Sequence, residues 1–199
     1  MTLHGTIHIP EQSVGLVIFS HGSGSSRFSP RNKYVANVLQ QNGLATLLFD
    51  LLTSREDAIY KTRFDMPLLA NRLIDVTKWI KNYKGVNMLP IGYFGSSTGA
   101  ASALKAAAVL KDQIAAVVSR GGRPDLVFKE LANVTAATLL IVGESDTEVL
   151  ELNKKAYQQL RGERSLKIIP NATHLFEEQG KLEEVAQLSA RWFVQKLKI

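Results

Sequence analysis

Residues 94 to 101 read FGSSTGAA, with two adjacent serines held between two glycines. Only one register fits a Gly-x-Ser-x-Gly pattern: Gly95 and Gly99 flank Ser97 and leave Ser96 beside it. In that pattern the central serine sits on a sharp strand-to-helix turn that presents its hydroxyl as a nucleophile. Glycine two residues before and two after removes side chains that would collide across the turn. The run that follows, with Ala100, Ala101, Ala103 and Ala106, reads as a helix whose first N–H groups face developing negative charge. A glycine-rich turn with incidental serines is the competing reading, and the partners decide between the two.

Serine attacks only when a base takes its proton, and the base needs an acid to orient it. The chain has four histidines: His4, His8, His21 and His174. His4 and His8 fit the alternation of an N-terminal strand, and His21 precedes the serine. One known chain order for such a triad is Ser, then Asp or Glu, then His, which selects His174, just after the run LKIIP. The segment GESDTEV offers Glu144, Asp146 and Glu148 as acids, and Asp146 is preferred because it lies a few residues past an apolar run. A cradle for the oxyanion needs the N–H after the nucleophile, that of Thr98, and a second from an early loop. The turn in FSHGSGSS makes Ser23 the candidate. A phosphate-binding glycine loop is the rival reading of GSGSSR, but it matches neither G-x-G-x-x-G nor G-x-x-x-x-G-K-[ST].

These residues need elements to carry them. Short apolar runs (GTIHI, VGLVIFSH, LATLLFD, PIGYFGS, AAVVSRG, ATLLIVGE, SLKIIP) alternate with longer helical patterns. The inner runs are continuous, as expected for strands buried on both faces of a parallel sheet. The clearest helix starts at Asp65 as N-cap with Pro67 in its first turn, and Leu69, Leu73, Val76 and Ile80 repeat at helical spacing. Leu182, Val185, Ala186, Trp192 and Phe193 define a last helix. The order predicts one doubly wound α/β domain over residues 1–199, a mostly parallel sheet of about seven strands flanked by helices. Ligand sites in such sheets lie beyond the carboxyl ends of the strands, where every candidate above falls.

Composition narrows the function classes. The 199 residues are 45% hydrophobic and 21% charged, ordinary for a soluble globular chain, and contain no cysteine, which excludes disulfides and thiolate metal sites. No apolar run spans a bilayer and MTLHGTIHIP lacks the pattern of a secretory signal, so a cytoplasmic location without membrane association is expected. The net charge of +6 comes from scattered basic residues, whereas a nucleic-acid footprint needs a clustered patch. The expected partner is a small molecule, with no nucleic acid, cofactor or metal. Oligomeric state is not readable.

The segments HGSGSS, ATLLFDLLT, RFDMPLLANRL, YFGSSTGAA, VVSRGGRPDL, LLIVGESD and NATHLF occur in an order that resembles the α/β-hydrolase superfamily, in particular its small dienelactone-hydrolase-like members. The resemblance covers nearly the whole chain. It implies Ser97 as nucleophile, Asp146 as acid and His174 as base in hydrolysis of an ester, thioester or lactone. Dienelactone hydrolases proper carry cysteine at the nucleophile position, so their lactone substrate does not carry over. No insertion is long enough for a large cap domain, and Leu51 to Arg63 could form only a small lid. A non-catalytic binding or regulatory protein on the same fold is the alternative.

Arg120 and Arg123 flank two glycines at the predicted site face, and Arg27 follows the early glycine loop. Such guanidinium groups fit a forked contact with an anionic substrate, or equally the pairing of loops through Asp65 or Asp125.

Overall fold

The computed structural model describes residues 2–198. Seven strands form one sheet in the order β1-β3-β2-β4-β5-β6-β7. They are β1 (Gly5–His8), β2 (Gly15–Ser20), β3 (Leu44–Phe49), β4 (Ile91–Ser96), β5 (Ala116–Arg120), β6 (Ala137–Gly143) and β7 (Arg164–Ile169). Only β1 runs antiparallel, against β3; the other five pairings are parallel. Strands β2 to β5 are buried at every position, because helices cover both faces. This explains their unbroken apolar runs.

One face packs on α3 (Met66–Ile80) and α4 (Thr98–Leu110), the other on α1 (Pro30–Gln41) and α6 (Lys181–Lys196). Asp65 caps α3 as its sequence predicts, its carboxylate accepting from the Leu68 N–H at 3.0 Å, with Pro67 in the first turn. Helix α5 (Thr147–Gln159) follows β6. Between β3 and α3 lies no large cap, only the four-residue helix α2 (Ser54–Asp57) and a 3₁₀ turn over Tyr60–Phe64. No helix among the described residues is long and apolar enough to cross a membrane.

The chain leaves β2 toward β3 on one side and returns to β4 on the other, so the loops after β2 and β4 diverge. A crevice opens where connections part in this way, and ligands of open α/β sheets bind there. Ser20 at the end of β2 bonds Ser102 of α4, hydroxyl to hydroxyl at 2.8 Å, and ties the loop after β2 to the helix after β4.

Candidate active site

Ser97 stands between β4 and α4 with φ 51° and ψ −120°, a conformation that costs a non-glycine residue about 1–3 kcal/mol. Backbone bonds hold it there. Its N–H donates to the Arg120 carbonyl at 3.1 Å, and its own carbonyl accepts from Ala100 at 3.1 Å and from Arg123 at 3.2 Å. The flanking glycines permit the turn: a Cβ on Gly95 would lie 2.4 Å from Ala100 Cα, and one on Gly99 only 2.1 Å from the Ser20 carbonyl oxygen. Ser97 is half-buried, whereas Ser96 is 2% exposed.

The candidate acid and base lie in the loops after β6 and β7. Asp146 is the N-cap of α5, yet its carboxylate caps no helical N–H. Oδ2 instead lies 2.6 Å from Nδ1 of His174. Asp146 is the better shielded of the two, with its side chain 15% exposed against 37% for His174. Glu144 has a separate task, accepting the Asn171 N–H at 3.0 Å and bracing the histidine loop. The His174 ring also packs against Gly121, where a Cβ would lie 3.4 Å from Cε1. Gly121 follows Arg120, the residue bonded to Ser97, so one turn after β5 borders both Ser97 and the imidazole. No hydrogen bond joins Ser97 Oγ to His174 Nε2 in this conformation; such bonds are often long in ligand-free enzymes and tighten when substrate binds.

The loop after β2 crosses the start of α4. Here the Ser23 N–H is already engaged, donating to Oγ1 of Thr98 at 2.8 Å. Behind the loop, His21 is 7% exposed, with Nε2 accepting the Leu51 N–H at 3.0 Å. The proton must therefore sit on Nδ1, which donates to the Gly22 carbonyl at 3.0 Å. Burial holds the His21 pKa below its ordinary 6.5, opposed by weaker contributions from the Gly22 carbonyl, Asp50 and Asp57. The unfolded chain binds that proton more readily, so the stability from neutral His21 is complete above about pH 6.5 and is lost as the pH falls below it. Melting temperature should thus drop more steeply below about pH 6.5 in the wild type than in His21→Gln. Parallel curves would contradict this role.

The three arginines separate. Arg27 pairs with Asp50 through both its backbone N–H and its guanidinium, and stacks on Phe28 at 4.1 Å. Arg123 makes a forked pair with Asp125 at 2.8 and 2.9 Å, which raises its pKa further. Arg120 has no carboxylate partner among the described residues and is 6% exposed. A cleft of about 250 Å³ beside the loop after β2 is lined by His21, Ser25, Arg27, Phe28 and Asp57. A wider one, about 520 Å³ between β1 and α3, contains no candidate residue and lies at the sheet edge.

With this geometry the chain can be set beside known proteins. A crystal structure of a dienelactone hydrolase from Anabaena variabilis superposes with a TM-score of 0.96 at 52% identity, covering 98% of this chain and 93% of that one. Est1E from Butyrivibrio proteoclasticus shares the fold at a TM-score of 0.83 and 18% identity, covering 98% and 94% of the two chains. The chain belongs to the α/β-hydrolases, within their dienelactone-hydrolase-like group. Proteins from two strains of Mycobacterium tuberculosis, each named a "putative phosphoribosyl transferase", are 54% identical over 193 residues. That match takes in 97% of this chain, which spans 44% of their length. No family model matches the chain.

Proposed function

We propose that the chain is a serine hydrolase that cleaves a carboxylic ester, thioester or lactone through an acyl-enzyme on Ser97. The observation that carries this reading is the Asp146 carboxylate, which leaves its helix uncapped and lies 2.6 Å from His174 Nδ1 beside a left-handed serine turn. With Nδ1–H held by Asp146, Nε2 of His174 is the free base. Ser97 Oγ attacks the carbonyl carbon as Nε2 takes its proton. The tetrahedral oxyanion collapses, and the departing alcohol or thiol takes that proton from His174. A water, deprotonated by the same nitrogen, then cleaves the acyl-serine bond and restores Ser97.

The Thr98 N–H, in the first turn of α4, is one oxyanion donor. The second is the Thr98 hydroxyl itself, polarised by the Ser23 N–H it accepts. Losing one such donor costs roughly 100-fold in kcat. Thr98→Val should therefore lower kcat by about that factor with KM little changed, and Thr98→Ser should retain activity. A rise in kcat in Thr98→Val would instead mean that the hydroxyl only blocks the Ser23 N–H.

The name carried by the Mycobacterium tuberculosis relatives points to phosphoribosyl transfer. This chain spans 44% of those proteins, so the name covers a longer polypeptide, and the pairing of Asp146 with His174 supports acyl transfer for the part spanned here. Assays with 4-nitrophenyl butyrate, a butyryl thioester and a five-membered lactone test the hydrolase reading. Turnover of at least one, lost in His174→Ala, is the expected result. A folded protein inert toward all three would favour a non-catalytic binding role.

A further inference from the structure

Arg120 ends β5, and alternation along that strand aims its side chain at the face covered by α1 and α6. Ala116 and Val118 join the apolar cluster on that face, and Arg120 follows them in step. Its guanidinium carbon lies 5.9 Å from the centroid of the buried Phe176 ring. Nε and Nη1 are enclosed and have no acceptor. A buried cation is ordinarily paired, since removing it from water without a partner is strongly unfavourable. Here the charge acting on Arg120 is that of Arg31, of the same sign. Burial, and then Arg31, bring the Arg120 pKa down to about 10, which leaves it cationic at neutral pH.

The neighbourhood shares the deficit. Arg31 and Asn32 lie in the first turn of α1, a helix of 12 residues. Arg31 Nη1 reaches Glu177 at 2.6 Å, but its Nε is enclosed without a partner. Asn32 is 2% exposed and its Oδ1 also has no donor. Arg120, Arg31 and Asn32 thus each carry an enclosed polar atom without a partner, the last two in the positive first turn of a helix.

We propose that Arg120, Arg31 and the first turn of α1 form a binding site for a phosphate group. Two guanidinium groups and a helix start match a dianion. Asn32 Oδ1 can accept an O–H, which the hydrogen phosphate dianion carries and which a phosphate monoester carries only as its monoanion. The Arg120 carbonyl holds Ser97, and the adjacent Gly121 packs on His174, so the residue that carries the buried guanidinium borders Ser97 and His174 through its backbone. On the serine-hydrolase reading, the phosphate belongs to the substrate, a phosphorylated ester; binding of the anion itself does not depend on that reading.

Melting and calorimetric titration with sodium phosphate, against sodium chloride at matched ionic strength, test the site in the full chain. Phosphate should raise the melting temperature of the wild type and of Ser97→Ala alike, in a saturable manner. Ser97→Ala cannot form the acyl-enzyme, so its response separates this proposal from the hydrolase reading. Without phosphate, Arg120→Met should melt above the wild type, because an uncompensated charge is gone, and its phosphate affinity should fall at least about tenfold. Arg120→Lys keeps the charge but not the fork and should bind with intermediate affinity, which guards against a misfolded Met variant. Competitive inhibition of 4-nitrophenyl butyrate hydrolysis by phosphate would identify the anion as part of the substrate. A change in kcat alone would identify a free-ion ligand, and either result supports the site. The absence of a saturable phosphate effect, or an equal effect in Arg120→Met, overturns it.

Discussion

Replacing Ser97 by alanine should lower kcat at least about 10,000-fold for any ester the chain turns over, and His174→Ala should cost a similar factor. The double variant should be little worse than either single one. Nucleophile and base act as a unit, so once one is lost the other has nothing to activate. Ser96→Ala is the control. Ser96 points from the end of β4 into the buried face of the sheet at 2% exposure, paired in register with Arg120. Its removal should leave kcat within a few-fold of the wild type. Steady-state kinetics on variants with unchanged circular dichroism decide this. Full activity in Ser97→Ala, or its loss in Ser96→Ala, would move the chemistry to the other serine.

Gly99→Ala should destabilise the fold by at least about 4 kcal/mol. The added methyl would lie 2.1 Å from the Ser20 carbonyl oxygen and 2.4 Å from that of His21, and both are backbone atoms that cannot rotate aside. Relief requires moving α4 away from the end of β2, which breaks the Ser20–Ser102 bond and separates the Ser23 loop from Thr98. Gly180→Ala gives the contrast. It has a left-handed φ of 77° and nothing within 4 Å of a new Cβ, so only backbone strain of about 1 kcal/mol is expected. Urea unfolding of both variants measures the difference. A Gly99→Ala cost no greater than that of Gly180→Ala would mean that the turn is loose.

Most of the fold was legible because its physics is local. The seven apolar runs became the seven strands; for β2 to β5 the reason is that a parallel strand covered on both faces must be apolar throughout, whereas β1 and β7 are partly exposed edges. Strand order was not legible. That β1 pairs with β3 rather than β2 depends on which edge a short strand can reach, and four residues carry no pattern for that choice. At the site, the serine register and the position of His174 could be read from glycine spacing and strand order. The partners of the charged groups were less legible. Asp146 is preferred as the acid from its place past the β6 run, but its contact with His174, rather than a cap on its own helix, arises only on folding. Three arginines looked alike, yet Arg27 found Asp50 across 23 residues, Arg123 found its near neighbour Asp125, and Arg120 was buried without a carboxylate. The engagement of the Ser23 N–H by Thr98, 75 residues away, likewise arises only from long-range packing.

Ser97, activated by His174, is the nucleophile we propose for this chain. Labelling with a fluorophosphonate, followed by peptide mapping, tests it most directly. A single adduct on Ser97 is expected, absent from Ser97→Ala and strongly slowed in His174→Ala. An adduct on Ser96, or none on folded wild-type protein, would contradict it.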